Sequence, residues 1–95
     1  MLTSKQKKYL RSEAHHLNAI FQIGKEGVHE KQIEGIKEAL NAQELIKVKL
    51  LDTCPSPVKK VALELSMYTK AEVVQIVGHT IVLYKKSDKE LYLLP

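Results

Sequence analysis

The apolar residues at the start of the chain are spaced as in an amphipathic helix. Four of them fall on one face: Tyr9, Leu10, Ala14 and Leu17. Thr3 followed by Gln6 has the form of a capping box, in which each side chain hydrogen-bonds to the backbone of the other. This pattern predicts a first helix over residues 4–16.

A strand, a tight connection and a second helix are predicted next. Ala19–Ile23 is a short, mostly apolar run that is typical of a strand. Gly24–Gly27 then leads directly into a helix marked by Ile33, Ile36 and Leu40, which recur at helical spacing. The sequence therefore predicts a strand-loop-helix unit.

Residues 44–51 alternate between apolar and polar side chains, which predicts a strand with one buried and one wetter face. The pattern leaves open whether Lys47 and Lys49 only meet solvent or extend a binding surface. Two prolines predict a loop over residues 52–57, and a third helix follows it and ends near Thr69. Its inward residues are predicted to be Val58, Val61, Ala62, Leu65 and Tyr68.

The C-terminal third of the chain predicts a hairpin. Strands over residues 72–77 and 80–85 flank Gly78-His79, and a glycine in the first central position suits a type II′ turn. The second of these strands is almost continuously apolar, so we expect it to be central and covered on both faces. Residues 91–95 are expected to add a short edge strand.

These elements predict the α/β (α+β) class, in the order α-β-α-β-α-β-β, with a mixed four-stranded sheet and helices. We expect a single domain over residues 1–95, and the 44% apolar and 27% charged content agrees with an ordinary globular chain. No apolar run reaches the roughly 18 residues of a membrane span, and no signal-peptide core follows the N-terminal lysines. We therefore expect no membrane association and a cytoplasmic location.

The candidate catalytic and metal-binding side chains are scattered. Cys54 is the one cysteine, and it lies in the proline-containing loop with no base predicted beside it. His15 and His16 are adjacent and point about 100° apart on a helix, which disfavours a shared metal ion. We therefore expect no enzymatic activity, no metal and no cofactor.

The net charge of +4 is concentrated near the N-terminus. Residues 1–25 hold five basic side chains and one acidic side chain, whereas residues 26–95 hold ten of each. Clustered Lys and Arg mark a protein that binds a polyanion, because they release condensed counterions from phosphates. The charge pattern therefore predicts a nucleic-acid contact near the start of the chain.

The first predicted helix carries these charges on one side. At 100° per residue, Lys8, Arg11 and His15 lie together opposite the apolar residues, with Lys5 at their edge. We call these four residues the basic stripe. A solvated helix face would show the same pattern, so the stripe alone does not separate a binding surface from simple solubility.

The segment Gly24-Lys25-Glu26-Gly27, which we call the GXXG loop, precedes the second predicted helix. A glycine at each end allows a sharp turn and close approach by a ligand. Free N–H groups in the first helical turn, together with Lys25, would attract a phosphate, and KH domains clamp a nucleic-acid backbone with a loop of this form. Glu26 would repel phosphate, and an ordinary tight turn would need the same glycines.

Three separated segments of the chain resemble the CRM domain, named for chloroplast RNA splicing and ribosome maturation. The segments are His15-His16-Leu17 leading into Ile23–Val28, Glu44–Lys49, and Val77–Lys85. The resemblance covers essentially the whole chain and is strongest to the small, free-standing bacterial members of the YhbY type. Ala19, His29 and Lys85 depart from the residues common there, which are Pro, a small capping residue and Arg.

The resemblance implies a fold akin to the C-terminal domain of translation initiation factor 3, with RNA contacts through the GXXG loop and the neighbouring basic helix. It also implies that the RNA is ribosomal precursor RNA and that the partners are assembly intermediates of the large ribosomal subunit. Combined with the basic stripe, it gives eight candidate RNA-binding residues: Lys5, Lys8, Arg11, His15, Gly24, Lys25, Glu26 and Gly27.

A second interpretation remains open from the sequence. The chain would then be an adaptor that binds a protein of a ribosomal assembly intermediate through the open face of the sheet, with incidental affinity for RNA. We expect a monomer under either interpretation. Shape and phosphate contacts are expected to dominate RNA recognition, because few exposed aromatic residues are predicted for base stacking.

Overall fold

A computed structural model describes residues 2–95 and contains, over that range, three helices and four strands in the predicted order. The helices are α1 (Ser4–Ala14), α2 (Glu30–Gln43) and α3 (Val58–Thr69). The strands are β1 (Ala19–Ile23), β2 (Leu45–Leu50), β3 (Glu72–Val77) and β4 (Thr80–Tyr84). None of the helices in this range combines the length and apolar character that a membrane crossing requires.

The four strands form one mixed sheet in the order β1-β2-β4-β3. β1 and β2 are parallel, and β4 runs antiparallel to both of its neighbours. Residues 81–84 of β4 are all buried, which confirms that this strand is central and covered on both faces. Gly78 has φ +57°, the positive value that a type II′ turn requires at its first central position.

Helices cover both faces of the sheet. α2 and α3 pack on one face, where Ile36 and Leu65 join a buried cluster with Ile46. α1 packs on the opposite face, where Leu10 and Ala14 join a second cluster with Leu45, Val82 and Tyr84. The predicted fold class, with its mixed four-stranded sheet, is confirmed.

The helix ends follow from local chemistry, with two departures from prediction. The capping box between Thr3 and Gln6 is present, and α1 ends at Ala14, two residues earlier than predicted. Tyr68 was predicted to face inward but is 54% exposed. Thr69 takes the inner position instead, because its hydroxyl can donate to the Leu65 carbonyl, at 2.6 Å, without leaving the helix.

The residues after β4 do not form the predicted edge strand. Residues 85–95 lack regular structure, and Tyr92 and Leu94 pack against the cluster beneath α1. The Tyr92 ring meets the Tyr84 ring edge to face, with 6.4 Å between centroids. The tail therefore covers sheet surface rather than extending the sheet.

The tail is held by Glu44, which was predicted to begin β2 and instead follows the end of α2. Its side chain is buried and its φ is +63°. The carboxylate accepts hydrogen bonds from the Ser87 N–H at 2.7 Å, the Ser87 hydroxyl at 2.6 Å, the Leu91 N–H at 2.9 Å and the Tyr92 N–H at 3.3 Å. Burial acts to raise the pKa of Glu44, but these hydrogen bonds outweigh burial and hold that pKa below its ordinary value.

Candidate nucleic-acid interface

The basic stripe lies on the outer side of α1. Leu10 and Ala14 fix the helix against the sheet and are buried, so the opposite side meets solvent. Every residue of the stripe is exposed except Arg11, which is half-buried. The helix rises about 15 Å between Lys5 and His15, so the stripe is long enough to contact more than one phosphate.

The C-terminal half of α1 forms one wall of a groove against the sheet, which we call the α1 groove. Its volume is about 310 Å³, and its lining includes Arg11 and His15 from α1, Lys47 from β2, and Thr80 and Val82 from β4. Two residues of the basic stripe therefore meet Lys47 at one concave site. The sequence had left the role of Lys47 open.

Lys49 extends this positive surface toward the GXXG loop. Lys47 and Lys49 lie on the same face of β2, because alternate residues of a strand share a face. Lys49 pairs with Gln22 on β1 and with Thr80 on β4, so it lies between the α1 groove and the strand that leads into the loop. No ion pair within residues 2–95 involves the basic stripe, Lys47 or Lys49, which leaves these charges available to an anion.

The GXXG loop is a tight turn in which the Gly27 N–H donates to the Gly24 carbonyl at 2.9 Å. Gly27 has φ +67°, a value that favours glycine, whereas Gly24 has no positive φ. The expectation that both glycines are needed for the turn is therefore right only at Gly27. Lys25 and Glu26 are exposed at the tip, and the loop lies against Pro55.

The sequence had predicted that the second helix begins directly after the GXXG loop, but the helix begins later. α2 begins at Glu30, with His29 as its N-cap. The His29 ring accepts a hydrogen bond from the Gln32 N–H at Nδ1, at 3.3 Å, and its Nε2 lies 4.0 Å from the Glu26 carboxylate. One N–H group of the helix start is thus occupied and two acidic residues flank it, which weakens this helix end as a phosphate site. Lys25 and the loop backbone remain the better anion contacts there.

The sequence profile of the CRS1/YhbY (CRM) domain matches residues 2–85. The chain belongs to this family. The probable RNA-binding protein YqeI of Bacillus subtilis is 53% identical over 89 residues, which cover 94% of this chain and 93% of that protein. A protein of Haemophilus influenzae named as an RNA-binding protein is 38% identical over 94 residues, which cover 99% and 95% of the two chains. The solution structure of a Staphylococcus aureus protein matches the full length of both chains with a TM-score of 0.81 and 47% identity.

Membership of the CRM family confirms the resemblance drawn from the three sequence segments, and the roles of the eight candidate residues stay predictions. The structure gathers only some of those residues at one site. Arg11 and His15 reach the α1 groove, whereas Lys5 and Lys8 lie one to two turns nearer the N-terminus of α1 and do not line it. Lys49 lies between the groove and the loop.

One groove on the opposite side of this CRM domain has an acidic lining. A separate groove of about 400 Å³ runs between α2 and α3, and its lining includes Glu30, Glu34, Glu64 and Tyr68, with Lys37 as the one cation. The lining of this groove repels phosphate, so the α1 groove is the electrostatically more suitable of the two grooves for a polyanion.

Sequence reasoning missed two polar residues of the α1 groove, Gln75 and Thr80. Gln75 interrupts the otherwise apolar run from Val73 to Val77, and that interruption was the available signal. The sequence does not reveal which face of β3 carries Gln75, because an irregularity in strand pairing decides it.

Proposed function

We propose that this protein binds RNA through a continuous basic surface formed by the basic stripe, Lys47, Lys49 and the GXXG loop. The RNA is ribosomal precursor RNA, and the protein assists assembly of the large ribosomal subunit as a cytoplasmic monomer. The ribosomal part follows from the CRM resemblance. Membership of a family whose relatives are named RNA-binding proteins supports the choice of RNA as the polyanion.

The observation that carries the proposal is the meeting of Arg11, His15 and Lys47 at the α1 groove. A helix face covered in lysines is often only solvated. Here cations from α1 and β2 instead converge on one concave site and are not paired with carboxylates within residues 2–95. Convergence of unpaired cations is what an anionic ligand needs, because their charges add at one point.

The side chains and the loop backbone of this surface are suited to contacts with phosphates. Lys8 and Lys49 attract phosphates as flexible point charges, and the Arg11 guanidinium can hold one phosphate with two hydrogen bonds. The loop backbone at Lys25 adds N–H donors at the far end of the surface. Phosphate contacts fix the orientation of the RNA but carry no base information.

A salt series tests the proposal. Binding of a large-subunit precursor RNA fragment is measured by fluorescence anisotropy from low to high potassium chloride, for the wild type and for Lys8→Ala with Arg11→Ala. Counterion release predicts a steep fall of log K with log salt, and a slope smaller by roughly two units in the double variant. Lys59→Ala with Lys60→Ala removes the same charge from the exposed surface of α3 and serves as the control, with an unchanged slope.

An RNA affinity that responds neither to salt nor to the α1 variant would refute the proposal and favour the adaptor interpretation. The ribosomal target needs its own measurement. Ultraviolet crosslinking in cells, followed by sequencing of the attached RNA, should recover precursor sequences of the large subunit from the wild type and fewer of them from the Lys8→Ala, Arg11→Ala variant. Recovery of messenger RNA or transfer RNA alone would refute the ribosomal part and leave RNA binding intact.

A further inference from the structure

The α1 groove contains two polar side chains that the phosphate contacts do not use. Gln75 and Thr80 are both half-buried and line the groove. No group within residues 2–95 forms a hydrogen bond with the Gln75 amide or with the Thr80 hydroxyl. Both side chains are therefore able to form hydrogen bonds with a ligand that enters the groove.

A β-bulge brings Gln75 into the groove. Glu72 pairs with Tyr84 and Gln75 pairs with Val82, so the register shifts by one residue around Val74. Val74 packs in the cluster beneath α1, and Gln75 also lines the groove on that face. Regular alternation would put one of these two neighbours on the other face. Bulges commonly re-aim a side chain at a functional site.

Strand pairing arranges the groove in two rows. Lys47, Val82 and Gln75 pair across β2, β4 and β3 in the first row. Lys49, Thr80 and Val77 pair across the same strands in the second row. Each row begins with a cation on β2. In the first row Val82 lies between Lys47 and Gln75, whereas in the second row Lys49 and Thr80 are direct neighbours.

We propose that the α1 groove binds one unpaired nucleotide of the RNA. This inference rests on the proposed function and adds a base-reading site to it. Arg11 and Lys47 contact the phosphate of that nucleotide, the base lies against the exposed side chain of Val77, and its edge hydrogen-bonds with Gln75 and Thr80. The glutamine amide both donates and accepts, which matches the mixed donors and acceptors of a base edge.

A base within a duplex does not fit this site. Its pairing edge is occupied by its partner, and side chains read bases in RNA mainly where loops or bulges leave them unpaired. The cations that line the groove attract any RNA, so the proposal predicts a preference for an unpaired nucleotide on top of general affinity. Apolar contact takes the part that aromatic stacking plays in other RNA-binding proteins.

The site is tested by measuring how tightly the full chain binds three RNA hairpins of equal stem length. One stem is fully paired, one carries a single unpaired nucleotide, and one carries an abasic residue at the same point. The wild type should bind the hairpin with the unpaired base about tenfold more tightly than the other two. Equal binding of the base-containing and abasic bulges would overturn the inference, because the preference would then reflect only the bend of the RNA.

The variant Gln75→Leu with Thr80→Val removes the polar groups while keeping side-chain size. It should lose the tenfold preference and keep the wild-type affinity for the paired hairpin, and retention of the preference would overturn the inference. Gln43→Leu, an exposed position on α2, is the matched control.

A second measurement does not depend on how the variants fold. In NMR spectra of the wild type, the Gln75 side-chain amide signals should shift when the hairpin with the unpaired base is added and should not shift with the abasic hairpin. Signals that do not move would also overturn the inference. Failure of all three hairpins to bind would instead refute RNA binding itself.

Discussion

Replacing Glu44 with alanine removes the acceptor that holds the C-terminal residues. Four hydrogen bonds end on its carboxylate, from Ser87, Leu91 and Tyr92. Bonds to a charged group contribute roughly 1.5–3 kcal/mol each, so their gross sum is roughly 6–12 kcal/mol. The measurable loss is smaller, because the tail can leave the sheet when its acceptor is gone.

Release of the tail limits how far Glu44→Ala lowers the free energy of unfolding. The freed N–H groups bond to water, and each residue from Ser87 to Tyr92 regains about 1–2 kcal/mol of backbone entropy. The burial of Tyr92 and Leu94 is lost, and full burial of such side chains is worth about 1.5–3 kcal/mol each. We therefore expect Glu44→Ala to lower the free energy of unfolding by about 2–4 kcal/mol.

Urea unfolding at pH 7, followed by circular dichroism, measures this loss. Because the slope is about 1–3 kcal/mol per M, a loss of about 2–4 kcal/mol should lower the midpoint by roughly 0.7–4 M. Glu44→Gly removes the same bonds but accepts φ +63° without the Cβ clash, so it should be about 1 kcal/mol more stable than Glu44→Ala. An unchanged midpoint for Glu44→Ala, with unchanged hydrogen exchange at Leu91 and Tyr92, would refute the reasoning.

Acid provides a second test of the same residue. The pKa of Glu44 is lower in the folded protein than in the unfolded chain, so the folded state binds fewer protons there. Its contribution is complete above the ordinary carboxyl pKa of about 4.3 and is lost as pH falls through the lower folded pKa. Glu44→Gln should therefore be less stable than the wild type at pH 7, and the gap should narrow below about pH 4. A gap that stays constant with pH would contradict this account.

The remaining predictions concern the GXXG loop, the N-cap of α1 and the basic surface. Gly27→Ala should lower the free energy of unfolding, measured in urea, by about 1 kcal/mol because of the positive φ of Gly27. Gly24→Ala should leave that free energy within about 0.5 kcal/mol of the wild type. Equal losses for the two variants would contradict the loop geometry. Thr3→Ala should destabilise the protein by about 1 kcal/mol through loss of the capping box, and an unchanged midpoint would show that the cap contributes little. Lys47→Ala should lower the salt slope of RNA binding by roughly one unit, and Lys37→Ala, a lysine of the acidic groove, should not change it.

Local patterns predicted most of the fold. The bounds of β1 and β3 and the end of α3 agree with prediction, because strand alternation, the proline loop and the Gly78-His79 turn are all encoded by neighbouring residues. The start of α2 was misplaced because His29 is an uncommon N-cap, and its ring nitrogen replaces the usual hydroxyl or amide oxygen.

The site was only partly predictable because it depends on contacts between distant residues. The basic stripe follows from helical spacing alone. The inclusion of Lys47 and Gln75 in one groove depends on the pairing register of three strands and on a bulge, which no local pattern encodes. Glu44 was missed for the same reason, since its hydrogen-bond partners lie 43 to 48 residues later in the chain.

The central place of β4 has a consequence for how the protein is made. β4 is the last of these four strands to leave the ribosome, yet both β2 and β3 depend on it for pairing. α1 is made first, but Val82 and Tyr84, on which it packs, are made near the end. Contacts this distant in sequence form late and together. A nascent chain that stops before β4 therefore carries the basic stripe without the groove, and the proposed RNA-binding surface is complete only once synthesis has passed the hairpin.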